Sequence, residues 1–299
     1  MHTSVLLEEA IEYLNLKEDS IVIDCTLGYA GHSSKILKKT KNGFLYAFDQ
    51  DEEAIKYANE KLKKIGNNYK IIDKNFINIK EVPEKVDGIL FDLGVSSPQL
   101  DEDYRGFSYH KNAPLDMRMD RRQKLNAYTV VNEYSYEKLV RIFKEYGEEK
   151  YSSSIARGII NKREEKPIET TLELSEIIKK NVPEKYRKKS HPARKIFQAI
   201  RIEVNDELNI FEKSLKYALE MLKPKGRIAV ITFHSLEDKI CKKIFKEATE
   251  VAKELKPLPM IPEKYQPKYK NICNISPSKK EIENNKRARS SRLRVVEKR

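Results

Sequence analysis

The sequence predicts an α/β fold in which a Rossmann-like, doubly wound sheet is interrupted by an inserted all-helical subdomain. Short apolar, β-branched runs alternate with segments of helical periodicity as far as Phe91, and this alternation resumes after Leu208. Between these two parts, a long irregular stretch leads into a block of helical patterns. We therefore expect two parts of one sheet domain at 1–103 and 207–299, with a helical, substrate-recognising insert at 104–206.

The first part contains four predicted strands that alternate with helical patterns. A helix is expected from Leu6 to Leu14, and the strands are predicted at 21–23, 44–48, 69–72 and 87–91. Acidic residues after Asp49 suit the start of the helix that follows the second strand. Parallel sheets bind their ligands beyond the carboxyl ends of the strands. The residues expected at that edge are Gly31, Asp49, Phe76 and Asp92.

The insert and the second part show equally regular patterns. Helices are predicted at 136–146, 152–161, 172–182 and 197–204, the third with a capping box formed by Thr170 and Glu173. A helix at 208–222 leads into a buried strand at 227–233, and Ser235-x-x-Asp238 is expected to cap the next helix. The proline-rich segment 256–277 is expected to cross the domain in an extended form. The final segment, 292–297, is expected to be an edge strand.

A ligand-binding turn is predicted within the stretch 21–36, where a buried strand, a glycine-bearing turn and a helix follow one another. Gly28 and Gly31 allow a ligand to approach the backbone, and the helix N-terminus offers free N–H groups. Asp49 ends the second strand 21 positions after Gly28, where a carboxylate accepts hydrogen bonds from a ribose diol. This pattern indicates a nucleoside-bearing cofactor. Because the full G-x-G-x-x-G fingerprint is absent, an ordinary tight turn is the alternative.

The net charge of +13 is unevenly distributed along the 299 residues. Residues 104–206 hold 23 Lys/Arg against 15 Asp/Glu, and residues 279–299 hold nine against three, so the remainder is nearly neutral. A neutral scaffold that carries basic segments is typical of proteins that bind a nucleic acid. The alternative, a uniformly lysine-rich solvated surface, would not leave the rest of the chain neutral.

The cysteines and histidines indicate no disulfide framework and no metal site. Cys25, Cys241 and Cys273 form an odd set without C-x-x-C spacing, which favours a reduced, cytoplasmic setting. The five histidines do not occur at metal-ligand spacings. Neither a signal peptide nor a membrane-spanning segment is expected, since no apolar run approaches membrane-spanning length.

The order of these features suits a Rossmann-like methyltransferase better than a dehydrogenase, and several long motifs make the comparison specific. They are His2-Thr-Ser-Val-Leu-Leu7, Asp24-x-Thr-x-Gly-x-x-Gly-His-Ser33, Phe91-Asp-Leu-Gly-Val-Ser-Ser-Pro-Gln-Leu-Asp101, Arg105-Gly-Phe-Ser108, Pro114-Leu-Asp-Met-Arg-Met119, Gly147-Glu-Glu149, His191-Pro-Ala193, Phe197-Gln-Ala199, Phe233-His-Ser-Leu-Glu-Asp238 and Arg287-Ala-Arg-Ser290. In these motifs and their order the chain resembles the bacterial 16S ribosomal RNA cytosine-1402 N4-methyltransferase family. The resemblance covers essentially the whole chain.

This resemblance implies S-adenosylmethionine as the cofactor and 16S ribosomal RNA, within the small ribosomal subunit, as the partner. It places the cofactor against Gly28, Ala30, Gly31, His32, Asp49, Phe76, Asp92 and Gln99. The chemistry of two of these residues supports this placement, because the Asp49 carboxylate can accept hydrogen bonds from the ribose and the Phe76 ring can pack beside the adenine. Two of these residues have a simpler explanation, since Phe76 also suits a core position and His32 a helix cap.

The difficult part of the predicted reaction is the acceptor, because the lone pair of the cytosine amine is delocalised into the ring. A hydrogen-bond acceptor on its N–H would orient the amine and help remove a proton. Asp92 follows the fourth strand, where other amino-methyltransferases place their acidic motif, and it is the first candidate, with Ser96 and Ser97 beside it. The alternative is that Asp92 serves the cofactor alone.

Substrate contacts are expected in the insert and in the tail. The candidates are Arg105, Phe107, Tyr109, Arg118, His191, Lys195, His234, Arg287 and Arg289. Phe107 and Tyr109 are expected to stack on a flipped base, although both also suit the core of the insert. The oligomeric state, including a homodimer, is left open by the sequence.

The chain departs from the family pattern at a few positions. Ala30 and Lys225 stand where the family usually has glycine, and Asn112-Ala113 stand where it has Asp-Gly. Ala30 would permit close approach of a ligand if the φ angle of Ala30 is negative. Lys195 replaces an arginine, which keeps the charge and loses the bidentate fork.

Two other functions are compatible with these residues. One is amino methylation of DNA or of another RNA. The other is a non-catalytic ribosome assembly factor that retains the cofactor fold.

Overall fold

The computed structural model describes residues 4–95, 99, 103–188, 191–251, 253–255 and 262–299. The chain divides into two compact units: the sheet unit, Met1–Gly94 with Leu208–Arg299, and the helical unit, Val95–Glu207. The helical unit begins earlier than the predicted boundary at Tyr104, because Val95 already packs against its apolar core.

The sheet unit contains seven strands in the order β3-β2-β1-β4-β5-β7-β6. The strands are β1 (Ile21–Asp24), β2 (Phe44–Asp49), β3 (Tyr69–Asp73), β4 (Val86–Asp92), β5 (Leu222–Thr232), β6 (Tyr269–Ile275) and β7 (Arg292–Lys298). The first five are parallel, and β7 runs antiparallel to both β5 and β6. Parallel strands require crossover connections, which the intervening helices supply.

Helices pack on both faces of the sheet. They are α1 (Leu7–Leu14), α2 (Gly31–Lys39), α3 (Glu52–Leu62), α10 (Glu207–Met221), α11 (Ser235–Thr249) and α12 (Lys279–Asn284). One apolar core contains Phe48, Phe91 and Phe211, and the other contains Leu6, Leu45 and Leu293. The mixed seven-stranded sheet covered by helices confirms the predicted Rossmann-like class.

The last two strands correct the sequence prediction. The segment 292–297 was expected at the edge, but β7 lies between β5 and β6, and Leu293, Val295 and Val296 are buried there. The edge is formed by β6, which falls in the segment expected to be an extended crossing. The two strands differ in burial. β7 is mostly buried, as an inner strand is, whereas β6 has several half-exposed and polar positions that suit an edge strand.

The helical unit contains α4 (Ala127–Glu133), α5 (Tyr136–Glu145), α6 (Ser152–Glu165), α7 (Thr171–Lys180), α8 (Glu184–Arg187) and α9 (Ala193–Asn205). Its own apolar core includes Phe143, Ile155 and Ile196, each fully buried. The predicted capping box is present: Thr170 accepts from the Glu173 backbone, and the Glu173 carboxylate accepts from the Thr170 backbone. None of the described helices combines the length and apolar character that crossing a membrane requires.

Candidate active site

Three aspartates end three neighbouring strands of the sheet unit. Asp24 ends β1, Asp49 ends β2 and Asp92 ends β4. Because these strands are parallel, their carboxyl ends meet at one edge, as the sequence predicted. This edge is the candidate site.

Asp24 fixes the backbone of this edge and was not among the predicted site residues. Its side chain is fully buried, and Oδ2 accepts a 2.6 Å hydrogen bond from the Ser33 hydroxyl. Oδ1 accepts from the Thr26 backbone N–H at 3.0 Å. The Thr26 hydroxyl in turn accepts a 2.7 Å hydrogen bond from the backbone N–H of Asp92. Burial raises the pKa of Asp24, which these hydrogen bonds partly offset.

The turn between β1 and α2 requires left-handed backbone at two positions. Gly28 has φ +48 and Ala30 has φ +55. A negative φ at Ala30, the condition given for close approach of a ligand, is therefore not met. The usual glycine of the family is explained, since only glycine adopts this region without strain. The left-handed Ala30 lies directly before the first residue of α2, Gly31.

Asp49 is hydrogen-bonded to the glycine turn itself. Its Oδ2 atom accepts a 2.7 Å hydrogen bond from the Gly28 backbone N–H, and Oδ1 accepts from the backbone of Gln50 and Asp51. Loss of water around the carboxyl group raises its pKa to about 6, despite these hydrogen bonds. The carboxylate thus joins the turn after β1 to the end of β2, the place where a ribose is expected.

His32 lies in the first turn of α2 and faces Asp92. Its Nδ1 atom is 3.4 Å from Asp92 Oδ2, and its side chain is 4% exposed. Burial by itself would lower the pKa of His32, but contact with Asp92 and the charge of Asp24 raise it above the ordinary value. Among the described residues, His32 Nε2 and Asp92 Oδ1 are buried atoms without a hydrogen-bond partner. Such atoms are rare and costly, and they mark a place where a ligand can supply the partner.

Phe76 follows β3 and is half-buried. Its ring meets the ring of Phe91 edge-on, with centroids 5.6 Å apart, and it packs at the margin of a core cluster. Both explanations given from the sequence are thus compatible with its position. The neighbouring Asn75 donates to the Gln50 side chain at 2.9 Å and connects this segment to the residue after Asp49.

The N-terminal segment packs on the start of α2. A Cβ atom placed on Gly31 would lie 1.8 Å from Ser4 Oγ and 3.1 Å from Ser4 Cβ, so a side chain at this position would force Ser4 to shift. The backbone of Val5 contributes to the raised pKa of His32. The Leu6 backbone N–H donates a 2.7 Å hydrogen bond to Glu281 Oε1. Nothing in the local pattern around Glu281 indicated this role, because its partner lies at the other end of the chain.

Three further predicted site residues follow β4 in the sequence. Ser96 and Ser97 lie outside the described residues. Gln99 belongs to the helical unit and is 7% exposed.

Two predicted substrate residues of the helical unit are buried. Arg105 is 2% exposed, and its guanidinium donates to the carbonyl oxygens of Arg118 and Met119. Phe107 is 6% exposed and belongs to the core of the unit, which corrects its assignment to a stacking platform. Both side chains therefore support the fold of the loop and lack the open face that a base or phosphate needs.

Tyr109 is half-buried in an aromatic cluster. Its ring stacks on His191 at 4.6 Å and meets Phe197 edge-on at 5.6 Å, and His110 lies 4.3 Å from it. Burial, followed by the charges of Lys179 and His110, lowers the pKa of His191 and favours the neutral ring. Motifs that are far apart in the sequence are thereby brought together.

Arg118 and Lys195 are engaged by the protein. Arg118 makes a bidentate ion pair with Asp116, with Nε–Oδ1 at 2.7 Å and Nη2–Oδ2 at 3.0 Å. Lys195 Nζ donates to the Glu148 carbonyl oxygen at 2.8 Å. A single donor suffices for this contact, so the bidentate fork of arginine is not required there.

His234 caps α11, which corrects the predicted cap at Ser235. Its Nδ1 atom faces the Glu237 backbone N–H, and the Glu237 carboxylate accepts from the backbone N–H groups of Phe233 and His234. Arg287 and Arg289 are exposed in a short 3₁₀ segment, Lys286–Ser290. These two positions suit contacts with a polyanion.

The parallel sheet, the glycine turn after β1 and the carboxylates at the ends of β1, β2 and β4 define a Rossmann-like methyltransferase. The chain belongs to the MraW methylase family, whose model it matches over residues 1–299. This is the family of the 16S ribosomal RNA cytosine-1402 N4-methyltransferase, so the resemblance seen in the motifs is confirmed. S-adenosylmethionine is the methyl donor of this methylase.

Two solved structures align with this chain at low sequence identity. A ribosomal RNA methylase from Streptococcus thermophilus aligns with 100% of this chain and 98% of its own, with 13% identity and a TM-score of 0.47. A protein from Streptococcus mutans, described as a methyltransferase and solved in complex with SAH, aligns over 100% of both chains, with 14% identity and a TM-score of 0.48.

Proposed function

We propose that this methylase transfers a methyl group to the exocyclic N4 amine of cytosine 1402 in the decoding region of 16S ribosomal RNA. Membership of the MraW methylase family supports the reaction and the substrate. One structural observation carries the proposal: Asp92 Oδ1, at the carboxyl end of β4, is buried and lacks a hydrogen-bond donor within the described residues.

The residues at the sheet edge fit the cofactor. The turn with left-handed Gly28 and Ala30 leads directly into the N-terminus of α2, whose backbone N–H groups suit a polar ligand. The Asp49 carboxylate would hold the ribose hydroxyls, and Phe76 would lie beside the adenine. His32 Nε2, buried without a partner among the described residues, offers a polar contact near the start of α2. When bound there, S-adenosylmethionine supplies an activated methyl group, so that the protein's task is alignment and removal of water.

Asp92 would act on the acceptor. A carboxylate oxygen that accepts the amine N–H holds the nitrogen lone pair toward the donor and later takes up the proton. His32 contacts the other oxygen of the same carboxylate at 3.4 Å, which orients the carboxylate. The hydrogen bond from the Asp92 backbone N–H to Thr26 fixes the residue from the other side. Ser96 and Ser97 remain further candidates for this step.

The exposed basic residues would bind the RNA. Arg287 and Arg289 stand exposed in the tail, and the helical unit carries the larger basic excess. Each phosphate neutralised by such a residue releases counterions, so that binding weakens steeply as salt increases. We place this activity in the cytoplasm, where ribosomal subunits are assembled.

Methyl transfer from labelled cofactor to purified small subunits, free 16S RNA and duplex DNA tests the proposal. Nucleosides from the labelled RNA are then separated to locate N4-methylcytidine. We expect label in RNA at a single cytosine, and no label with Asp92→Ala. Label in DNA alone, or at another RNA base, would favour the alternative amino-methylation reaction. Tight cofactor binding by a wild-type protein that transfers no methyl group would favour a non-catalytic assembly factor.

A further inference from the structure

An exposed aromatic ring and an exposed guanidinium meet at the start of the helical unit. The Tyr104 side chain is 45% exposed, and the Arg121 guanidinium carbon lies 5.8 Å from the centre of its ring. Neither residue belongs to the motifs described above. Arg121 is itself exposed and makes no ion pair with a carboxylate in the described part of the chain. A cation over an exposed ring contributes little to the free energy of folding, so stabilisation of the fold does not explain this pair.

Buried Arg105 connects the segment of Tyr104 to the loop that carries Arg121. It directly follows Tyr104, and its guanidinium donates to the carbonyl oxygens of Arg118 and Met119 at 3.1 and 3.4 Å. Its own carbonyl oxygen accepts a 3.1 Å hydrogen bond from the Met117 N–H. The segment of Tyr104 is thereby fixed to the loop that carries Arg121.

Arg118 holds the backbone of Arg121 in the same way. Its Nη1 atom donates to the carbonyl oxygens of Arg121 and Gln123 at 3.0 and 2.8 Å, while Nε and Nη2 bind Asp116. Four of the five donors of one guanidinium therefore serve the loop. Two arginines that the sequence assigned to the substrate instead brace the surface next to them.

The braced loop also contains strained backbone. Met117 has φ +58, which is unfavourable for a residue with a side chain. Gly106 has φ +72, which glycine adopts without strain, and a Cβ atom there would lie 2.3 Å from the Pro114 carbonyl oxygen. Strain of this kind persists where surrounding contacts over-determine a geometry, and it is concentrated at functional sites.

Acidic residues stand at 101–103, directly before Tyr104 in the sequence, and the carboxylates that follow it in the loop are paired with arginines. Asp116 is neutralised by Arg118, and Asp120 by Arg122 with Nε–Oδ1 at 2.8 Å. The two carboxylates of the loop are therefore occupied, which leaves the charge of Arg121 available. The surrounding helical block has an excess of eight positive charges between 104 and 206.

We propose that Tyr104 and Arg121 form a platform on which an unpaired base of single-stranded RNA stacks, with its phosphate at the guanidinium. The inference rests on the proposed function and names a substrate contact that it did not include. An exposed aromatic ring can stack on any base, so the Tyr104 ring would bind without sequence preference. The Arg121 guanidinium would bind the negatively charged phosphate of the same nucleotide. A rigid support lowers the entropy lost when the base is bound.

The test measures binding of a fluorescently labelled single-stranded RNA with the decoding-region sequence by polarisation at several salt concentrations. Tyr104→Ala should weaken binding by about tenfold with an unchanged salt slope, and Tyr104→Phe should restore it, because stacking needs only the ring. Arg121→Gln should weaken binding and reduce the slope of log affinity against log salt by about 0.7, the contribution of one single-strand phosphate contact. Tyr128→Ala, which removes another exposed tyrosine of the same unit, is the matched control and should bind like wild type.

Each outcome decides the proposal. Equal binding by Tyr104→Ala and wild type, in a preparation that methylates small subunits, overturns the platform and leaves the proposed function intact. Variants that bind free RNA normally but bind small subunits weakly overturn it as well, since the surface would then contact a ribosomal protein. A wild-type protein that methylates no RNA overturns the proposed function and this inference together.

Discussion

The Nδ1 atom of His32, in the first turn of α2, lies 3.4 Å from the Oδ2 atom of Asp92 at the end of β4. This contact fixes one carboxylate oxygen and leaves the other, Oδ1, without a donor among the described residues. Helix and strand thus combine to direct one acceptor toward the edge where the ligand is expected. Because one oxygen of Asp92 contacts His32 and the other is left for a ligand, the role of Asp92 can be tested by substitution.

Asp92→Asn should lower kcat by about 100-fold or more, because the amide cannot take up the amine proton. The affinity for S-adenosylmethionine, measured by calorimetry, should change little, since the amide retains the shape of the side chain. Asp73→Asn, at the end of strand β3 of the same sheet, is the matched control and should keep wild-type activity. Loss of cofactor affinity in parallel with kcat would instead assign Asp92 to the cofactor.

Cofactor affinity should decrease as the pH falls through about 6. The pKa of Asp49 is raised from 3.8 to about 6 by burial, and the protonated carboxyl is a weaker acceptor for ribose hydroxyls. We expect binding about tenfold weaker at pH 5 than at pH 8, by calorimetry with S-adenosylhomocysteine. The same shift makes ionised Asp49 unfavourable for folding, so its contribution to stability is lost as the pH rises through about 6.

Asp49→Asn separates this titration from those of His32 and Asp24. The variant should bind more weakly at pH 8 and lack the tenfold change between pH 5 and 8. A pH dependence that persists unchanged in Asp49→Asn would contradict the assignment of Asp49 to the ribose.

Glu281→Ala should loosen the N-terminal segment. The carboxylate accepts the Leu6 backbone N–H at 2.7 Å, and hydrogen bonds to charged groups contribute about 1.5–3 kcal/mol. The free energy of unfolding, measured with urea, should fall by about that amount, and hydrogen exchange of the Leu6 amide should accelerate. Glu281→Gln retains an acceptor oxygen and should recover part of the loss. Unchanged exchange at Leu6 in the alanine variant would show that this hydrogen bond does not hold the segment.

Lys225→Gly should stabilise the protein. Lys225 is exposed and has φ +65, a conformation that costs a residue with a side chain about 1–2 kcal/mol. The greater flexibility of unfolded glycine cancels part of that gain, so a net increase of about 0.5 kcal/mol in the free energy of unfolding is expected. Thermal unfolding compares this variant with Lys223→Gly, at a nearby position without positive φ, which should not be stabilised.

The sequence by itself determined the fold class and the location of the glycine turn after β1. Apolar periodicity is a local property, so the alternation of strands and helices predicted the parallel sheet. The sequence predicted Gly31 and Asp49 at one edge of the sheet, and there the Asp49 carboxylate accepts a 2.7 Å hydrogen bond from the Gly28 N–H. The motifs predicted the family because they are long and occur in a fixed order.

Only the tertiary structure decided which predicted residues are buried and which chain ends meet. Arg105 has the sequence character of a phosphate ligand, yet its guanidinium lies inside the helical unit, since burial depends on residues distant in the chain. The exchange of β6 and β7 at the sheet edge, and the contact of Leu6 with Glu281, likewise join segments whose pairing no local pattern encodes. Even the left-handed φ of Ala30 follows from the position of the turn between β1 and α2, because alanine alone does not favour that conformation.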